Sequence, residues 1–255
     1  MKIDNFMLSL ECDNKLKIRP DRLRGYFGRQ FEEYALMHNH NEEGYFYRYP
    51  LVQYKILDGR PIILGIGLGA KVLKEIYGDI KKVTIDGVVY EIYEKSVRLA
   101  SLSFGYTIEI IHYSFLTPWL ALNEKNYEKY QKLGRWIERK ELLESILIGN
   151  IISISKSLGY TVDEPITAKI IDMKEVNTRL KGTPMLGFLG TFSVNFEIPD
   201  YWGIGKSVSR GFGTIIRGQR TDNRGQRTDN RGQRTDNRGQ KTDNRGQTCR
   251  HKRFE

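Results

Sequence analysis

Apolar residues recur along the first 217 positions with two different periods, and the changes of period divide that stretch into strands and helices. Phe6-Met7-Leu8-Ser9-Leu10-Glu11-Cys12 has a strand pattern. From Pro20-Asp21 the period lengthens: Leu23, Phe27, Phe31, Tyr34 and Leu36 predict a helix with proline in its first turn. Two strands follow, Leu51 to Leu57 and Pro61 to Ile66, joined through Asp58-Gly59. That dipeptide readily takes positive φ at both central positions, so it predicts a tight antiparallel hairpin. Gly69 to Tyr77 returns to helical spacing and Val83 to Tyr93 to strand. The order β-α-β-β-α-β is that of a ferredoxin-like unit.

The second half echoes the first. Tyr106 to Ser114 predicts a strand. Asn123 to Ser157 is helical, with Trp136, Leu143, Ile146, Leu147, Ile151 and Ile154 as its buried stripe. Strands resume at Thr167 to Val176, Met185 to Phe196 and Phe212 to Ile216. The expected class is α+β: two tandem ferredoxin-like (RRM-like) domains with antiparallel sheets, spanning 1–97 and 98–217. From Gly218 to residue 255 the unit RGQRTDN repeats, with a last copy RGQKTDN, and no position of the unit is apolar. That segment cannot bury a core, so a disordered tail is expected.

The tail changes the meaning of the charge. The chain carries a net +10, but residues 218–255 hold 11 Lys/Arg against 5 Asp/Glu, so the tail contributes +6 and the remainder only +4. Net charge is therefore a weak argument for a polyanionic partner, and an Arg/Gly arm and a solvated duplication are both open readings of the tail. Cys12 and Cys249 are the only cysteines, which argues against a disulfide framework or a cysteine zinc site and for a reducing, cytoplasmic setting. Asp4 and Glu11 interrupt the apolar start and no uncharged apolar run reaches membrane length, so neither signal peptide nor membrane span is expected.

Candidate chemistry lies in two places. The segment Gly203-Ile204-Gly205-Lys206-Ser207-Val208-Ser209-Arg210-Gly211-Phe212-Gly213 brackets basic and hydroxyl residues between Gly-x-Gly pairs. Glycine lets a backbone take positive φ and approach a ligand closely, so such a loop can aim successive amides at phosphates, while Lys206 and Arg210 add charge. The plain alternative is a glycine-softened hairpin. It is not a Walker A loop, because Asp200 stands where the first glycine belongs. Gly65-Ile66-Gly67-Leu68-Gly69-Ala70 only loosely matches a dinucleotide fingerprint; its entering strand is a hairpin arm, so it is read as a strand-to-helix turn. The other place is His38-Asn39-His40, followed by Glu42, Glu43, Tyr47 and Arg48. Three readings stay open: loop residues without a role, a metal site using Glu42 or Glu43, or an acid and base pair for RNA cleavage. In the last, one imidazole takes the ribose 2′-hydroxyl proton and the other protonates the leaving 5′-oxygen, Tyr47 orients the phosphate, and Lys55 or Arg48 balances its charge.

Two ferredoxin-like halves, histidines after the first helix and a C-terminal G-apolar-G-x5-G-apolar-G loop together resemble the CRISPR repeat-RNA-processing endoribonucleases of the RAMP superfamily. The His38/His40 pair is most similar to the type I-B branch. The resemblance covers residues 1 to about 217, and its most specific element is Gly203, Gly205, Gly211 and Gly213. It implies a metal-independent, cofactor-free cut within the repeat of a precursor CRISPR RNA, leaving a 5′-hydroxyl and a 2′,3′-cyclic phosphate. His38 and His40 would be catalytic with Tyr47 assisting. Lys55, Arg48 and the loop residues Gly203, Gly205, Lys206, Ser207, Arg210, Gly211 and Gly213 would bind RNA. The alternative is a noncatalytic RNA-binding subunit of a multisubunit CRISPR effector complex.

Overall fold

In the computed structural model the described residues are 1–38, 40, 41, 44, 45 and 49–218, with side chains described for 1–37 and 49–218. The repetitive tail, Tyr47, Arg48 and the side chains of His38 and His40 lie outside them.

Strand β1 (Lys2–Cys12) is the centre of a five-stranded antiparallel sheet ordered β4-β5-β1-β7-β6, with β4 Val52–Leu57, β5 Arg60–Ile66, β6 Lys82–Ile85 and β7 Val88–Ser103. Helices α1 (Pro20–Gln30) and α3 (Leu68–Ile76) cover one face. Leu23 and Phe27 of α1 and Ala70, Leu73 and Ile76 of α3 bury against Phe6, Leu8, Leu10 and Ile63. The Asp58-Gly59 turn has the expected positive φ at both residues, 51° and 81°. The Gly65–Gly69 cluster is the strand-to-helix turn, with Gly67 at φ 56° as the residue before α3.

Two elements differ from the sequence expectation. The first helix stops at Gln30, because Phe31 leaves helical geometry (φ −128°, ψ 52°) while its ring stacks on Phe27. A second short helix α2 (Ala35–His38) follows, then the small pair β2 (His40–Asn41) and β3 (Gly44–Tyr45). The expected strand from Val83 to Tyr93 is a hairpin, turning at Asp86-Gly87 with φ 52° and 81°. The apolar positions change phase across this turn, from Val83 and Ile85 to Val88, Tyr90 and Ile92, and Asp86-Gly87 is the same kind of turn dipeptide as Asp58-Gly59.

The second half forms a four-stranded antiparallel sheet ordered β11-β8-β10-β9, with β8 Gly105–Phe115, β9 Ala168–Leu180, β10 Thr183–Glu197 and β11 Ile215–Arg217. The long helical stretch is two helices, α4 (Glu124–Lys132) and α5 (Trp136–Ser157), with Asn123 capping the first by accepting from the Asn126 amide. Trp136 was expected in the buried stripe but is 47% exposed, because it is the first residue of α5. Leu143, Leu147, Ile151 and Ile154 bury as the periodicity requires. In a complete ferredoxin-like unit a second helix would join β10 to β11. Here the glycine-rich segment occupies that place.

The two sheets share a core. Ile3, Leu64 and Ile66 of the first half bury with Phe104, Phe196, Trp202 and Ile204 of the second. Trp202 stacks on Phe104 (centroids 5.4 Å apart) and its indole N–H donates to the buried Asn5 Oδ1 at 2.9 Å. No helix among the described residues is long and apolar enough to cross a membrane. Because a buried acceptor without its donor is costly, Trp202→Phe should lower folding stability by about 1–3 kcal/mol. Urea titration would read this as a reduced midpoint at unchanged slope.

Candidate nucleic-acid interface

The glycine-rich loop is bonded inward along most of its length. The Gly203 amide donates to Gln53 Oε1 at 3.0 Å, and the Gly203 carbonyl accepts from the Tyr49 hydroxyl at 2.8 Å. The amides of Ile204, Lys206 and Gly213 donate to the carbonyls of Gly213, Leu120 and Pro118. Ile204 and Val208 are buried side chains that anchor it. Gly205 (φ 92°) and Gly211 (φ 82°) serve this packing. A Cβ on Gly205 would lie 2.6 Å from Trp119 Nε1, and one on Gly211 would lie 2.6 Å from Pro20 Cγ and 3.0 Å from the Tyr54 carbonyl. The glycines thus press the loop onto the body, and the groups facing outward are the side chains of Lys206, which is exposed, and of Ser207, Arg210 and Phe212, which are half-buried.

Strand β4 holds the loop from beneath. Alternate residues of a strand point to opposite faces. Tyr54 faces the helices, and its hydroxyl donates to the Met37 carbonyl at 3.0 Å, fixing α2 one residue before His38. Gln53 and Lys55 face the loop, both with no exposed surface. Gln53 Oε1 accepts from Lys55 Nζ at 3.0 Å as well as from the Gly203 amide. One strand therefore positions both places singled out in the sequence. It also places Lys55 differently from the expectation: the side chain lies under the loop, away from any surface RNA could touch. Burial holds the Tyr49 phenol protonated, with its pKa pushed up, and pushes the Lys55 amine down from 10.5 to about 7.

Beside the loop lies a cationic cleft. Arg19 and Pro20 at the start of α1, Arg179 and Lys181 at the tip of the β9–β10 hairpin, and Arg210 and Phe212 of the loop line a cavity of about 200 Å³. Among the described residues Arg19 alone of these four cations forms an ion pair, with Asp21 at 2.8 Å. A broader groove of about 960 Å³ continues past the hairpin, taking in Lys206 and Tyr127. A third, of about 600 Å³, adjoins the cationic cleft at Ile56 and Thr117 and includes Tyr201. Sequence reasoning missed Arg19, Arg179, Lys181 and Tyr201. The only signal for the hairpin cations was the Lys181-Gly182 turn, and nothing local says which groove a turn faces. Tyr201 stands at φ 67°, a left-handed conformation costing a non-glycine residue roughly 1–2 kcal/mol. The metal reading of His38, His40, Glu42 and Glu43 lies outside the described residues.

The buried amine has a measurable signature. Unfolded, Lys55 keeps its proton up to about pH 10.5; folded, only up to about 7. Between these values the unfolded state binds more protons, so stability is full above the upper value, falls as pH drops through the window, and levels off below about 7. Lys55→Met should flatten the rise in stability from pH 7 to 10, measured by urea unfolding at each pH.

Residues 1–103 match the Cas6b N-terminal domain model and residues 105–218 the Cas6b C-terminal domain model. The uncharacterized protein MJ0978 of Methanocaldococcus jannaschii is 44% identical over 143 residues, covering 56% of this chain and 97% of that protein. Among solved structures, a crystal structure of Cas6b aligns with a TM-score of 0.79 at 41% identity, covering 86% of this chain and all of that one. A crystal structure of the CRISPR RNA processing endoribonuclease Cas6b aligns with a TM-score of 0.68 at 39% identity, covering 85% of this chain and all of that one. The type IV Cas6 endonuclease Csf5, 13% identical with a TM-score of 0.52 over 86% of this chain and all of its own, shares the fold alone. With both sheets and the loop between β10 and β11 falling inside the matched segments, the chain belongs to the Cas6b family.

Proposed function

We propose that this protein is a CRISPR RNA processing endoribonuclease that cuts precursor CRISPR RNA within its repeats. The observation that carries the reading is the Cas6b match across both halves, in a chain whose glycine-rich loop is held rigidly beside a cationic cleft. The cleft supplies charge where a polyanionic backbone would pass, and the outward side chains Lys206, Ser207 and Arg210 supply donors to phosphate oxygens. The second half then binds and the first half cuts, with β4 holding the two in register.

In the proposed reaction one of His38 and His40 removes the ribose 2′-hydroxyl proton, and the resulting oxygen attacks the adjacent phosphorus. The bond to the 5′-oxygen breaks, the other imidazole gives that oxygen a proton, and the products are a 2′,3′-cyclic phosphate and a 5′-hydroxyl. Tyr47 orients the phosphate and Arg48 offsets its growing charge. The step needs two groups titrating near neutrality and no metal ion. Lys55 acts on RNA through the loop it supports.

Incubating the protein with its repeat RNA in EDTA and mapping the product ends tests this directly. Cleavage should persist with cyclic phosphate ends, and His38→Ala/His40→Ala should slow it by at least about 100-fold at unchanged RNA affinity. Loss of cutting in EDTA with recovery in Mg²⁺ would favour a metal-dependent nuclease. Tight binding with no cleavage under any condition would favour a noncatalytic subunit of an effector complex.

A further inference from the structure

A tyrosine occupies a turn position better suited to glycine. Pro199 to Trp202 form a turn closed by the Trp202 amide on the Pro199 carbonyl at 3.3 Å, and the third residue, Tyr201, takes φ 67°. A type II turn wants glycine or asparagine there. Among the described residues the Tyr201 phenol makes no hydrogen bond and its ring meets no other aromatic ring. The backbone of the turn holds β11, through the Tyr201 amide on the Ile215 carbonyl at 2.7 Å, but that bond does not require a tyrosine side chain, and a non-glycine residue kept in a strained conformation is a feature that collects at binding sites.

The ring lines the cleft of about 600 Å³, whose walls include Leu10, Ile56 and Leu116 and whose charged groups are Glu11, paired with Arg60 at 2.6 Å, together with Lys15 and Asp58. That volume falls within the roughly 300–1,000 Å³ of small-molecule sites. Apolar walls beside an unengaged aromatic ring suit a flat base, and stacking on such rings is how unpaired bases are commonly held. With its carboxylates balanced by Lys15 and Arg60, this cleft offers a phosphate less than the cationic one does, while its carboxylate and amide oxygens can accept from the exocyclic amines of a base, so the base is placed inside and the backbone outside. Ile56 and Thr117 line both this cleft and the cationic one, so the two adjoin. A strand whose phosphates followed Arg19 and Arg210 would run beside the Tyr201 cleft.

We propose that this cleft is a subsite for one unpaired nucleotide of the repeat RNA, with its base stacked on Tyr201 and its phosphodiester leading into the cationic cleft. This rests on the RNA-processing reading.

The test is binding of the repeat RNA of the source genome in EDTA, intact and with single abasic sites placed along it, to wild type, Tyr201→Phe, Tyr201→Leu and Tyr201→Gly. Cleavage is read in the same samples. Tyr201→Phe should bind as wild type, and Tyr201→Leu at least about fivefold more weakly. One abasic position should weaken wild type and have no further effect on Tyr201→Leu, since removing either partner removes the same contact. Tyr201→Gly relieves the strained turn, so its melting midpoint should stay level or rise while its affinity falls. The subsite is overturned if Tyr201→Leu keeps wild-type affinity, or if it binds weakly yet retains every abasic penalty. It is equally overturned if Tyr201→Gly melts lower and binds normally. Wild type that binds and cuts the RNA alongside any of these results sinks the subsite alone; wild type that binds no repeat RNA sinks the processing reading and the subsite together.

Discussion

A single oxygen, Gln53 Oε1, accepts from the Gly203 amide and from Lys55 Nζ, both at 3.0 Å, in the buried seam between the two sheets. The Tyr49 hydroxyl completes the junction on the Gly203 carbonyl. Buried polar groups left unpaired are expensive, so this cluster admits one arrangement of loop on strand and resists alternatives. The placement of the loop follows from it. So does the line of outward side chains that the loop presents to the cationic cleft.

The cost of the arrangement falls on Lys55, an amine removed from water with one hydrogen-bond acceptor among the described residues. An apolar residue would stabilise the seam more simply, and burying an amine is weak support for stability. What the amine contributes is orientation: by sharing Gln53 it fixes which way the side-chain oxygen points, and so where the Gly203 amide must lie. On the other face of the same strand Tyr54 holds α2 through the Met37 carbonyl. A two-residue stretch of β4 therefore couples the loop to the segment that bears the histidines. In a cutting enzyme this is the coupling that keeps bound RNA in register with the groups acting on it.

The sequence disclosed features whose cause is local and hid those whose cause is distant. The Asp58-Gly59 turn was legible because two residues suffice to make it, and the α+β order because hydrophobic period reports burial on one face. The Asp86-Gly87 turn has the same local cause and the same backbone geometry, so it too is legible in the sequence, and a single strand from Val83 to Tyr93 passes over the change of phase it makes. Val52-Gln53-Tyr54-Lys55-Ile56 looks like a strand with one wet face; in the fold that face is covered by a loop about 150 residues away, so the lysine is dry. The loop glycines were rightly marked as special, but the partners that require Gly205 and Gly211 are Trp119, Pro20 and Tyr54, which no spacing rule connects to them. The loop pattern was therefore legible as a signature, while its mechanical reason was not.

The loop acts, on this account, as a platform built before RNA arrives, and its amides report that directly. Residue-resolved hydrogen exchange on the RNA-free protein is the measurement that bears most closely on it. The amides of Gly203, Ile204 and Gly213, bonded to Gln53, Gly213 and Pro118, should exchange as slowly as those of the central strands. Exchange of these amides at the rate of an exposed loop, slowing only when repeat RNA is added, would show a loop ordered by its ligand and would contradict the account.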